Sequence, residues 1–317
     1  MNGVKTSHGL ESARADFEQL LNNLSSVLAE VRPRTNILNT KLGKLKKDLS
    51  NIEELDSLSL SKVAELVVKY NSINCLFENN IHYDKDDLIK IIEGKADYST
   101  DSNEKYNDFI FELSTGVRFF KALKWQEAKI DLSGDCDVIV DDEIAIECKY
   151  IHSIKRLKEN ISNAIKQIER RVNDKQARFG FVALDLSHVY DHKKVQDFAN
   201  YTFEHFVGNY EVLKENKRIE DDVLDSIIND KNFNQIISCY MMNEVETSLF
   251  SEIGFSYDLG TDVLAITFQV MNSFVFEYQG KKRTAIIRGM TYFINPDLEK
   301  EEYLNIMRFM GQLKVGI

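Results

Sequence analysis

The segment Gly134-Asp135-Cys136-Asp137-Val138-Ile139-Val140-Asp141-Asp142-Glu143-Ile144-Ala145-Ile146-Glu147-Cys148-Lys149 reads as two short apolar strands joined by an acidic turn at Asp141-Asp142, a β-hairpin. Side chains alternate along a strand, so Ile144, Ile146 and Cys148 share one face while Ala145, Glu147 and Lys149 share the other. A carboxylate and an ammonium at the end of an apolar strand are costly to bury unless each is used or satisfied. Asp137 opens the adjacent strand and can lie beside them; a register slip of one residue would bring Asp135 or Asp141 there instead. Two carboxylates converging at the end of a hairpin suit a hard divalent ion, which takes oxygen ligands and can hold a water as hydroxide. A neighbouring lysine can orient that water or offset the charge of a phosphorane-like transition state.

Outward from the hairpin, Trp125–Ile130, Cys136–Val140, Glu143–Lys149 and Phe179–Leu186 read as strands, after a helix at Tyr106–Leu123. A helix at Ile154–Val172 lies between the last two strands. Val189–Phe255 is helical in period, Val263–Val270, Ser273–Tyr278 and Thr284–Ile294 are strand-like, and an amphipathic helix at Leu298–Leu313 closes the sequence. Upstream, Phe17, Leu20, Leu24, Val27 and Val31 form a coiled-coil-like seam, Pro33 interrupts it, and Leu38, Leu42, Leu45, Leu49 and Ile52 form a second. Further helices fit Lys62–Phe77 and Asp86–Ile92. The polar stretch Lys95–Lys105 suggests a boundary: a helical region over 1–100, suited to dimerisation or partner docking, and a mixed domain over 101–317 with a helical stretch at about 189–255. The fold class is therefore α/β or α+β, with a mixed central sheet flanked by helices.

At the hairpin the sequence resembles the PD-(D/E)XK, or restriction-endonuclease-like, nuclease superfamily. Asp137 matches the family's strand-opening Asp, and Glu147-Cys148-Lys149 matches the (D/E)-x-K on the next strand. Glu112 in Phe111-Glu112-Leu113 matches the acidic residue often found on the preceding helix, and Gln167 matches the glutamine many members carry on the following one. The family's Pro before the Asp is Cys136 here. The resemblance covers about Asn107 to Leu186 and implies that Asp137, Glu147 and Glu112 hold Mg²⁺, with Mn²⁺ as a substitute, and that Lys149 and Gln167 complete the catalytic set. It implies a metal-dependent endonuclease acting on DNA rather than RNA, in restriction or anti-phage defence.

The triplet alone is weak evidence, since [D/E]-x-K occurs five times, at Glu93, Glu127, Glu147, Asp191 and Glu215. Context separates them. Glu93, Asp191 and Glu215 lie at a helix end or in helical or loop sequence and read as solvated charges, whereas Glu127-Ala128-Lys129 sits on an expected strand that no Asp-led apolar strand precedes.

A net charge of −11 argues against a chain that coats nucleic acid non-specifically, but the positive charge is concentrated. Lys149 to Arg178 carries nine basic residues against three acidic ones, directly after the hairpin, and there Lys155, Arg156, Lys158, Lys166, Arg170 and Arg171 are the expected phosphate contacts. Arg32 to Lys47 adds six basic residues and no acid. Neither a phosphate-binding G-x-x-x-x-G-K-[ST] loop nor a G-x-G-x-x-G fingerprint occurs, so a motor would have to come from a separate helicase or ATPase partner. The four cysteines contain no CxxC pair and read as reduced thiols, and His152 reads as a loop histidine. The N-terminus lacks a signal-peptide core and no apolar run is long enough to span a bilayer, so a soluble, cytoplasmic protein with no membrane contact is expected. The rival reading is a catalytically silent, nuclease-like nucleic-acid-binding or scaffolding protein.

Overall fold

The hairpin forms as its alternation requires. In the computed structural model, which describes residues 10–77, 81–123, 128–134, 136–254 and 257–315, β3 (Val138–Val140) pairs antiparallel with β4 (Ile144–Tyr150). Asp141 and Asp142 turn the chain with φ of 54° and 55°, left-handed values that Asp tolerates better than most residues. Before them, β2 (Ile130–Leu132) pairs antiparallel with β3 and parallel with β1 (Ile81–Tyr83). Trp125 and Glu127, expected to open β2, and Asp135, the alternative to Asp137, lie outside the described residues.

The sheet continues from β4 into β5 (Phe179–Asp185) and β6 (Val263–Tyr278), each parallel to its predecessor, and ends with β7 (Lys281–Ile294) antiparallel to β6. The seven strands stand in sequence order, β1-β2-β3-β4-β5-β6-β7. The fold is thus mixed α/β. Val263–Val270 and Ser273–Tyr278, read as two strands, are one: the polar Asn272 and Ser273 stay in register opposite Ile287 and Ile286.

Helices cover both faces. One face carries α5 (Tyr106–Leu123), α10 (Lys300–Val315) and the N-terminal helices α1 (Leu10–Val31), α2 (Lys41–Ser50) and α3 (Ser57–Asn71); α4 (Lys85–Ile89) follows β1. The other face carries α6 (Leu157–Asn173), α7 (His192–Glu215), α8 (Val223–Ile228) and α9 (Lys231–Ile253). Gly180 on β5 lets α6 sit close: a Cβ there would lie 2.5 Å from the Ala145 carbonyl oxygen and 2.6 Å from Ile168 Cγ2.

The expected division near residue 100 does not separate two cores. Phe17, Leu24 and Tyr70 belong to the same buried cluster as Val138, Ile146 and Phe181, and β1, from the N-terminal region, is a strand of the sheet. α3 is tied down by Ser61, whose hydroxyl donates to the Ser273 carbonyl at 2.9 Å. The first seam is consequently used inside the chain: Phe17, Leu20, Leu24 and Val27 are buried, and Asn71 and Asn74 donate to the α1 carbonyls of Ala13 and Asp16. That face is not open to a second copy. Of the second seam only Leu38 is exposed, because Ile37–Asn39 is a 3₁₀ turn rather than the start of α2. Among the described residues no helix is long and apolar enough to cross a membrane.

Candidate active site

β3 is shorter than β4, and that mismatch makes the site. The last β3–β4 pair is Val138 with Ile146, so β4 beyond Ile146 has lost its neighbour on that edge while still pairing with β5 through Tyr150. Asp137 fills the gap with its side chain: Oδ2 accepts a hydrogen bond of 2.6 Å from the Cys148 N–H, taking the place of a ladder carbonyl. The result is a notch past the start of β3, beside the central strand β4, with Asp137 on one side and Glu147 and Lys149 on the other.

Glu147 is fully buried. The Lys149 ammonium lies 3.3 Å from its Oε2 and 3.7 Å from Asp137 Oδ2, so one cation bridges two carboxylates. Among the described residues Glu147 Oε1 is buried without a hydrogen-bond partner, with the weakly donating Cys136 thiol beside the carboxyl. Burial and then the Asp137 charge push the Glu147 pKa up to about 7. Burial also raises Asp137, against the opposing pull of Lys149 and the Cys148 N–H. For Lys149 burial works in the other direction, yet the two carboxylates outweigh it and the pKa ends raised. The notch therefore holds one fixed positive charge and more acidic oxygen than that charge satisfies.

Glu112 lies on α5, which packs against β4, and it feels the charges of Asp137 and Lys149. Its carboxyl is pushed up to about 8 by burial and by the Asp137 charge, with Lys149 pulling the other way. Of the residues that the resemblance implied, Asp137 and Lys149 act on both Glu147 and Glu112, which places the four in one electrostatic neighbourhood. Gln167 does not join them: it is half-buried on α6 and, among the described residues, no hydrogen bond links it to the carboxylates.

Among the described residues no group of three or more His, Cys, Asp or Glu side chains stands ready to hold a metal ion. The orphaned Glu147 Oε1, on a carboxyl that burial and the Asp137 charge push up, still fits a hard cation, which commonly binds through one or two carboxylates and completes its shell with water and phosphate oxygens.

Of the expected phosphate contacts, Lys155, Arg156, Lys158, Lys166 and Arg170 are exposed on α6 and the turn before it. Arg171 is not available: it is buried and donates to Gln176 Oε1 at 3.0 Å, which fastens the end of α6 to the loop that follows. The upstream basic window is largely neutralised within the fold. Arg32 pairs with Glu93 at 2.8 Å and Lys46 with Glu18 at 2.7 Å, while Lys41 is buried against the Tyr106 ring and pushed down to about 6 by that burial. Of the other [D/E]-x-K acids, Glu93 holds Arg32, Asp191 caps α7 by accepting from the Lys194 N–H, Glu215 is exposed at the end of α7, and Glu127 lies outside the described residues.

Two groups near the notch carried no sequence signal as a pair. Asp108 stands one turn before Glu112 on α5, and His152 Nε2 lies 3.6 Å from its Oδ1. Only the i, i+4 spacing of Asp108 and Glu112 could have suggested that they share a face. Cys136 and Cys148 are buried, Cys75 is partly buried and Cys239 is exposed, and among the described residues no disulfide joins them. Compared with known protein families, characterised proteins and solved structures, the chain matches none.

Proposed function

We propose that the chain is a divalent-metal-dependent nuclease that hydrolyses phosphodiester bonds in DNA. The observation that carries this reading is the notch, where Asp137 closes onto β4 beside the buried Glu147 and the bridging Lys149. The order α5, the β2-β3-β4 meander, α6, then β5 parallel to β4 supports a restriction-endonuclease-like core around it.

Asp137 and Glu147 would hold the ion, with Glu112 as the third carboxylate on its α5 side. Bound there, Mg²⁺ or Mn²⁺ supplies an acidified water and a Lewis acid for the phosphate. Lys149, fixed by two carboxylates, orients the attacking water and offsets charge on the phosphorus oxygens as it builds. Glu112, which burial keeps protonated at neutral pH, gives up its proton as positive charge enters the notch. The exposed cations Lys155, Arg156, Lys158, Lys166 and Arg170 grip the backbone on the segment that follows β4. Restriction or anti-phage defence is the setting such an activity suits.

The test is cleavage of plasmid and linear DNA with Mg²⁺ or Mn²⁺, beside EDTA and Lys149→Ala controls. Metal-dependent cutting that the variant loses supports the reading; no cutting under any condition defeats it. One observation favours a second reading, a silent DNA-binding scaffold: Lys149 already bridges both carboxylates, as an ion would. DNA binding without cutting, and a metal titration identical in wild type and Asp137→Ala, would select that scaffold.

A further inference from the structure

The segment leaving β4 brings His152 back over the start of α5. Its Nδ1 lies 3.1 Å from the Ser102 carbonyl oxygen, which can only accept, so Nδ1 carries a proton. The Tyr150 ring packs edge-on against the imidazole, with centroids 4.9 Å apart, and fixes its plane. That leaves Nε2 facing Asp108 at 3.6 Å, close enough for charge attraction and too far for a hydrogen bond. Nε2 is therefore held beside a carboxylate without being committed to it. Both side chains remain about two-fifths exposed, at 38% for His152 and 41% for Asp108, so a substrate atom can reach them.

The pair belongs to the rim of the notch. Asp108 and Glu112 are one turn apart on α5, and the charge of Lys149 acts on both. The notch itself supplies carboxylates, a place for an ion and an ammonium held between Asp137 and Glu147, and because Glu112 gives up its proton when positive charge enters, it is not left as a donor for the alcohol that a phosphodiester releases. An alkoxide is a poor leaving group, and a positioned acid typically contributes about 10²–10⁴-fold to such a step.

We propose that His152, oriented by the Ser102 carbonyl and by Asp108, is the general acid that protonates the leaving oxygen. This rests on the nuclease reading. The oxygen of the attacking water forms the new bond to phosphorus and its proton passes to solvent. The bond from phosphorus to the ester oxygen breaks, its electron pair leaves with that oxygen, and the doubly protonated imidazolium form of His152, which keeps its Nδ1 proton on the Ser102 carbonyl, transfers its Nε2 proton to it. His152 then regains a proton from solvent. Asp108 touches no reacting atom in this scheme and acts as a positioning residue.

The experiment compares full-length wild type, His152→Ala, His152→Gln and Asp108→Asn on two substrates, linear DNA and bis(p-nitrophenyl) phosphate. p-Nitrophenolate leaves without a proton. A general acid therefore predicts that His152→Ala loses about 10²-fold or more on DNA yet stays within about threefold of wild type on the aryl ester. Added imidazole should restore part of the DNA cleavage in His152→Ala, and Asp108→Asn should lower kcat on DNA with KM unchanged. Equal losses on both substrates, or no loss on either, would overturn the assignment. Wild type that hydrolyses neither substrate, with metal present and a cooperative melt, would instead overturn the nuclease reading on which the assignment stands.

Discussion

Asp137 accepts the Cys148 N–H at 2.6 Å, so the carboxylate that would bind an ion also closes the backbone ladder where β3 ends. One side chain thus does a structural and a chemical task, and the two can be separated by substitution. Asp137→Ala should destabilise the protein by about 1–3 kcal/mol, because it leaves the Cys148 N–H without its acceptor. Asp137→Asn keeps an oxygen acceptor and should retain most of that stability. Chemical denaturation of the three proteins measures the difference; equal stability of the Ala and Asn variants would mean the bond contributes nothing. Mg²⁺ should raise the Tm of wild type and not of Asp137→Asn.

Glu147→Ala and Lys149→Ala should each abolish DNA cleavage while leaving the fold and most of the DNA binding in place. Removing a preorganised charge from a reacting centre costs on the order of 10²-fold or more in rate. Lys149→Ala also strands two carboxyls together, so its Tm should fall and recover as pH is lowered and they protonate. A variant that fails to fold at every pH would make Lys149 structural.

Glu147 and Glu112 have pKa values raised to about 7 and about 8, so the folded chain holds protons that the unfolded chain releases near the ordinary glutamate value. Stability then falls as pH rises from about 4.5 to about 8, by an amount on the order of a few kcal/mol, and is greatest on the acid side of that window. A divalent ion should reverse this, since it binds the ionised carboxyls. The Tm gain from Mg²⁺ should accordingly be larger at pH 8 than at pH 6, and a gain independent of pH would count against these carboxyls as ligands.

Neutralising the exposed trio Lys155, Arg156 and Lys158 should weaken DNA binding and reduce the salt dependence of log K by up to about 3, since each phosphate that a cation neutralises adds about 0.9 to the slope. Arg171→Ala should act differently: buried and bonded to Gln176, it should cost about 1–3 kcal/mol of stability and leave the salt slope unchanged. Fluorescence anisotropy across a salt series distinguishes the two, and a slope that drops in Arg171→Ala would contradict the burial.

Local rules determined a good deal. Alternation in Ile144–Tyr150 put Glu147 and Lys149 on one face, the 3.6-residue period gave α5 its bounds, and paired acids in the turn closed the hairpin. Such features depend on neighbours in sequence and need no knowledge of what packs above. The three-residue β1 escaped because so short a strand has no period to read, and it exists only by pairing with β2, some fifty residues away. The burial of Arg171 and Lys41 was equally hidden, since a basic residue in a charged run has the same local signature whether its tip meets water or a core.

Neighbours along the chain were enough for the strand pair, its polarity and the residues that bear charge at its end. Tertiary structure alone decided that β3 stops short of Glu147, that Asp137 bends into the space, that α5 brings Glu112 and Asp108 to its rim, and that His152 returns to meet them. The physical reason is that these relations depend on where separate elements end relative to one another. That is set by the packing of helices against both faces of the sheet, and no window of consecutive residues records it.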